Sequence, residues 1–144
     1  MILVTGATGF VGRHLVPALL ENGQRVRVLI PPRGQRRLPF DTDSARLEVF
    51  SGSIFDSESL YRAMSGVHTV FHLASAQWWG RLNDLEHVDL TGTRNVVQAG
   101  RSARIGRIMM LSHIGAEPAA GFHLLRVKGQ AEEIVRRGGL AYTI

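Results

Sequence analysis

Apolar and polar positions along this chain alternate between two periods. Short apolar runs of strand type stand at Ile2–Val4, Arg25–Ile30, Arg46–Phe50, His68–Leu73, Arg107–Leu111 and Leu140–Ile144. Between them, apolar residues recur at helical spacing. One such set is Leu15, Val16, Ala18, Leu19 and Leu20, ended by Asn22-Gly23. Another is Leu60, Ala63 and Met64, with Asp56 or Ser57 as the cap and Gly66 as the stop. A long helix over Asp84–Arg101 carries Val88, Thr91, Val96 and Val97 on its inner side. A last helix, opened by Lys128, carries Ala131, Ile134 and Val135 and ends at Gly138-Gly139. Residues 34–44 are polar, contain Pro39, and read as a loop or a short irregular helix. Strands alternating with helices predict an α/β fold, a doubly wound parallel sheet with helices on both faces.

The pattern changes character at the first strand–helix junction. Ile2–Val4 stops at Thr5, glycines follow at Gly6, Gly9 and Gly12, and the first helix begins near Gly9 or Phe10. Strand, glycine turn and helix together form the context in which a glycine fingerprint means dinucleotide binding. Gly6 permits a tight exit from the strand. Gly9 leaves the backbone open to a pyrophosphate, and Gly12 lets the helix pack close to the sheet. Free N–H groups at Phe10 and Val11 and the positive end of the helix dipole face the same anion, and Thr8 adds a hydroxyl.

The second strand ends at Pro31-Pro32-Arg33. An NAD-selective unit carries a carboxylate there for the ribose 2′-hydroxyl. This chain has none, and Arg33 presents a planar fork suited to a 2′-phosphate, so NADP(H) is expected over NAD(H). The bland reading of Arg33, Arg36 and Arg37 is a solvated basic loop.

Length and composition narrow the setting. The 144 residues, 44% of them apolar, suit one compact domain. No run of eighteen apolar residues is present, so no membrane insertion is expected. The start lacks a basic region and a cleavage site and does not read as a signal peptide. With no cysteine, disulfides and thiolate metal sites are excluded, no metal site is expected, and a cytoplasmic location is the default. The net charge of +5 comes from sixteen arginines and one lysine against twelve acids. The arginines are scattered and no aromatic ladder accompanies them, so an anionic cofactor is expected rather than nucleic acid.

The segment TGATGFVG resembles the short-chain dehydrogenase/reductase superfamily, in particular its extended and atypical branches. The resemblance continues along nearly the whole chain. It implies a Rossmann domain over residues 1–144, with six strands in the order 3-2-1-4-5-6. It further implies a loop, another strand and a smaller substrate-binding region beyond Ile144, which this sequence does not include. Gly52-Ser53-Ile54 corresponds to a turn that meets adenine, with Ser53 where the family has aspartate. Leu73-Ala74-Ser75 corresponds to a segment beside the ribose and diphosphate. His72, just before it, faces packing and is expected to be structural. Gly92-Thr93-Arg94-Asn95-Val96 matches a family segment in which Asp89 stands where asparagine is usual. Trp78-Trp79 either covers the nicotinamide side, a substrate or a partner, or packs under its loop. A homodimer through the helices near 84–101 and 121–137 is also implied.

The same resemblance gives Ser112 a catalytic candidacy at the end of the fifth strand, with His113 in place of a second serine. It assigns Lys128 to the nicotinamide ribose and to a Tyr-x-x-x-Lys pair. Four residues before Lys128 stands Leu124, so the tyrosine is missing, and His123 lies about 100° around the helix from that position. The segment from Leu124 to Ile144 looks like the branch of NmrA-like regulators and complex I accessory-subunit-like proteins. Two functions are therefore expected. The first is an NAD(P)(H)-binding domain resembling NAD-dependent epimerase/dehydratases, a hydride-transfer oxidoreductase without its usual proton donor. The second is a non-catalytic NADP(H)-binding redox sensor or scaffold subunit.

Overall fold

All six apolar runs enter one parallel sheet. The computed structural model describes residues 1–32, 38–76 and 82–144. The strands are β1 (Ile2–Thr5), β2 (Val26–Ile30), β3 (Leu47–Ser51), β4 (Thr69–His72), β5 (Arg107–Met110) and β6 (Tyr142–Thr143). Their order is β3-β2-β1-β4-β5-β6, as the resemblance implied. Thr5 stands level with Leu29 on one side and His72 on the other, so the carboxyl ends of the three central strands are aligned. Chain direction from β1 diverges toward β2 and toward β4, which leaves a crevice at that switch point.

Both faces of the sheet are covered, and β2 is accordingly buried along its whole length. On one face Leu3, Val70 and Ile108 pack with Leu60, Val96 and Val135. On the other, Val4, Val26 and Val28 pack with Val16 from α1 (Gly12–Glu21). Arg27 interrupts the apolar run of β2 for a specific reason. Its guanidinium donates to the carbonyls of Ala63 (2.6 Å) and Ser65 (2.8 Å) and to Glu48 Oε2 (2.8 Å). These carbonyls lie at the end of α2 (Ser57–Ala63), where helix carbonyls lack partners. At the other end Asp56 Oδ1 accepts from Glu58 N–H at 3.1 Å, so α2 is closed at both termini.

Three elements differ from the sequence expectation. Helix α1 begins at Gly12, and residues 7–11 form turns before it. The long helix runs as α3 (Leu82–Glu86), a π-helical turn (His87–Gly92) and α4 (Thr93–Ser102). The wider turn takes up one extra residue and rotates the inner face. Asp89, Gly92 and Thr93 are buried, while Val88 and Thr91 are only half-buried. Finally, α5 (His123–Arg136) starts five residues before Lys128, which therefore lies inside the helix rather than opening it. Phe122 at its N-cap offers no side-chain hydrogen bond, so the usual start signal is missing. Among the described residues no helix is long and apolar enough to cross a membrane.

Arg27→Met should lower stability by about 2–3 kcal/mol, since it strands the buried Ala63 carbonyl and removes the donor to Ser65. Urea unfolding measures this. Glu48→Gln should cost much less, because Glu48 is half exposed.

Candidate functional site

The carboxyl ends of β1 to β5 open on one cleft of about 430 Å³. Its floor is Thr5–Gly12. Gly52, Ser53, Ile54 and Phe55 close one end, and Leu73–Ala76 with Leu111 close the other. A second cavity of about 570 Å³ adjoins it through the shared residues Leu73, Ser75 and Leu111, and is completed by Ser112, His113, Phe122, Leu124 and Lys128.

The glycine turn fits an anion by exclusion of side chains. Gly6 has φ +70°, and a Cβ there would lie 2.5 Å from the Ala74 nitrogen and the Leu73 carbonyl carbon. A Cβ on Gly12 would overlap the Gly6 carbonyl and Ala7. Gly9 differs: a Cβ there would meet only the Gly6 oxygen, at 3.2 Å, and would otherwise occupy the cleft. The N–H groups of Thr8, Phe10 and Val11 have no acceptor among the described residues. Exposed N–H donors beside an open glycine, ahead of a helix, match the needs of a diphosphate. The residues present therefore fit a dinucleotide.

At the Gly52 end, Ser53 does not present its hydroxyl as a free acceptor. Its Oγ accepts from the Phe55 N–H at 3.1 Å, and its carbonyl accepts from Ser59 Oγ at 3.2 Å. The Ile54 side chain fills the space a Cβ on Gly92 would need, so the π turn packs directly on this loop. Phe55, half exposed at the cleft, stacks on His87 with ring centroids 4.1 Å apart. No pattern along the chain signals that pairing.

His72 is structural, as expected, and it organises the middle of the cleft. Its Nδ1 lies 2.8 Å from Thr5 Oγ1 and its Nε2 3.0 Å from Thr93 Oγ1. Thr93 Oγ1 in turn donates to the Asp89 carbonyl at 2.5 Å. With that proton committed, Thr93 must accept from Nε2–H, so Nδ1 accepts from Thr5. The ring is then neutral and every proton is used. Burial pushes its pKa down from 6.5 to about 4, against the attraction of Asp89 and with the repulsion of Lys128.

Lys128 and Asp89 form a buried ion pair at the junction of the two cavities. Lys128 Nζ donates to Asp89 Oδ1 at 2.6 Å and to Ser75 Oγ at 3.0 Å. Asp89 Oδ2 accepts from Ser75 Oγ and from the Ala76 N–H, each at 3.1 Å. In the sequence Asp89 stands out only as a departure from asparagine; its burial follows from the π turn. Ser112 is placed on the cavity wall, but its hydroxyl donates to Glu132 Oε1 on α5 at 2.5 Å. Glu132 is also held by Arg136, at 2.7 Å. Leu124 lines the second cavity one turn before Lys128. His123 points elsewhere, with Nδ1 2.9 Å from Arg126 and Nε2 3.6 Å from Glu86. Arg33, Arg36, Arg37, Trp78 and Trp79 lie outside the described residues.

A family model described as NAD(P)H-binding matches residues 6–144. The chain belongs to this family. It is an NAD(P)-binding domain whose curated relatives include dehydrogenases and reductases. Ceramide reductase of Caulobacter vibrioides is 32% identical over 94% of this chain and 42% of that protein. Cinnamoyl-CoA reductase 1 of Oryza sativa subsp. japonica is 36% identical over 81% and 35%. Photosystem II assembly factor Ycf39 of Cyanophora paradoxa is 29% identical over 99% and 43%. The crystal structure of gox2253 superposes with a TM-score of 0.81 at 26% identity, over 99% of this chain and 49% of that one. The chain spans less than half the length of these curated relatives.

The neutral imidazole makes stability depend on acidity. Below about pH 6.5 the unfolded chain protonates this ring, while the folded ring resists until about pH 4. Stability should therefore fall as pH falls through that window, by about 2 kcal/mol between pH 7 and pH 5 from this group alone. Urea titrations of the unaltered chain and of His72→Gln at both pH values measure it. The variant should lack this component of the slope.

Proposed function

We propose that the chain serves as an NADP(H)-binding module that holds the dinucleotide without a proton donor of its own at the reacting end. The observation that carries this reading is Leu124, an apolar side chain on the cavity wall one turn before Lys128. In this reading Gly6, Gly9 and Gly12 shape the diphosphate cradle, and Thr8, Phe10 and Val11 donate to it. Ser53 and Ile54 border the adenine, while Leu73, Ala74 and Ser75 border the diphosphate and ribose. Lys128 donates to the nicotinamide ribose, and Arg33 meets the 2′-phosphate. When bound, the dinucleotide supplies a hydride donor or acceptor at its nicotinamide ring.

A second reading, hydride transfer at a carbonyl or hydroxyl carbon, is supported by the two reductases among the relatives. There Ser112 would polarise the substrate oxygen once released from Glu132. The match to an assembly factor over nearly the whole chain supports the first reading. A homodimer through the helices near 84–101 and 121–137 is compatible with both.

Titration with NADPH and NADH at identical salt tests the cofactor assignment. NADPH should bind at least about tenfold more tightly, and Arg33→Ala should remove the difference. Gly9→Asp, which sets a carboxylate in the cradle and whose Cβ meets only the Gly6 carbonyl oxygen, should abolish both with a small loss of Tm. Turnover separates the two functions. A panel of apolar and sugar carbonyls with NADPH should show no oxidation above background in the unaltered chain; steady turnover on any of them selects the oxidoreductase reading instead.

A further inference from the structure

The surroundings of Asp89 require a carboxylate rather than an amide. Three donors converge on it: the Lys128 ammonium on Oδ1, and the Ser75 hydroxyl and Ala76 N–H on Oδ2. An asparagine would turn its NH₂ either toward the ammonium or toward the Ala76 N–H, donor against donor. Asp89 is 2% exposed and the Lys128 side chain 10%, so water screens neither charge well. At 2.6 Å they form a tight pair whose field falls off as a dipole's and not as an isolated cation's. Among the described residues, His72 on β4 feels both charges and is neutral, and Glu132, one turn further along α5, is held by Ser112 and Arg136.

One turn before Lys128 on the same cavity wall stands Leu124, which has no proton to give and no charge to be stabilised. A free cation at Lys128 would have nothing there to act on. We propose that Asp89 is a positioning residue that pairs off the charge of Lys128. The amine then serves as a fixed hydrogen-bond donor toward a bound dinucleotide and no longer lends its field to a proton donor at position 124. The two departures, Leu124 and Asp89, are in this view one change: the site is set for holding and not for proton transfer. The part concerning the dinucleotide rests on the function proposed above; the charge pairing does not.

A tyrosine placed at 124 reports the field directly, through its tyrosinate absorbance. Tyr61 and Tyr142 are subtracted using the unaltered chain. In Leu124→Tyr, with Asp89 intact, the new phenol should titrate at or above its ordinary value of about 10. In Leu124→Tyr/Asp89→Asn it should titrate at least about one unit lower, and adding Lys128→Met should remove that drop. A phenol already one unit below ordinary in the single variant would overturn the proposal, as would equal values with and without Asp89. The single variant leaves the ion pair untouched, so the test stands even if Asp89→Asn fails to fold. NADPH titration runs in parallel. If the unaltered chain binds no dinucleotide, the proposed function falls while the tyrosinate values still decide the charge pairing.

Discussion

A run of hydrogen bonds through the buried ring of His72 holds the cleft in shape. From the strand end at Ala74 it passes to Thr5, through the imidazole to Thr93, and on to the Asp89 carbonyl. It joins the end of β1, the end of β4 and the π turn, three segments far apart in sequence. The Asp89 carboxylate then carries the connection to Lys128 on α5 and back to Ser75 and Ala76. Since each hydroxyl and ring nitrogen spends its proton once, the direction of every bond is fixed by its neighbours. The glycine turn hangs from the same strand end, because Gly6 approaches Leu73 and Ala74 too closely for any side chain.

This arrangement explains how a parallel sheet presents chemistry at one edge. The register sets Thr5 beside His72, and the crossovers bring helices over both faces while leaving the carboxyl ends open. The cleft is walled by backbone donors and apolar side chains, with its charged pair at the far end. A dinucleotide, with its central diphosphate and flat terminal rings, has the same distribution of properties.

Much of this was legible in the chain itself. The strand–turn–helix at the start depends on local spacing, the parallel sheet follows from strands alternating with helices, and its order came with the family resemblance. The π turn was not legible: Val88, Thr91, Val96 and Val97 fit an ordinary helix, and only packing against Ile54 brings Asp89 and Gly92 inward. The start of α5 was hidden because Phe122 carries no capping group. The burial of Arg27 was hidden because its partners are backbone carbonyls, which have no residue identity to read. Ser112 could be placed at its strand end from the resemblance, but its engagement with Glu132 depends on a helix twenty residues further on.

Lys128 is the sole lysine in a sequence with sixteen arginines. Its side-chain amine is therefore unique, and it sits where the two cavities meet. Acylating reagents or acetyl-transfer enzymes that act on lysine have a single side-chain address here, guarded by an ion pair and a cleft wall. The extent of its labelling would be a native gauge of how open that junction is, readable from the mass of the peptide that carries it and without any engineered tag.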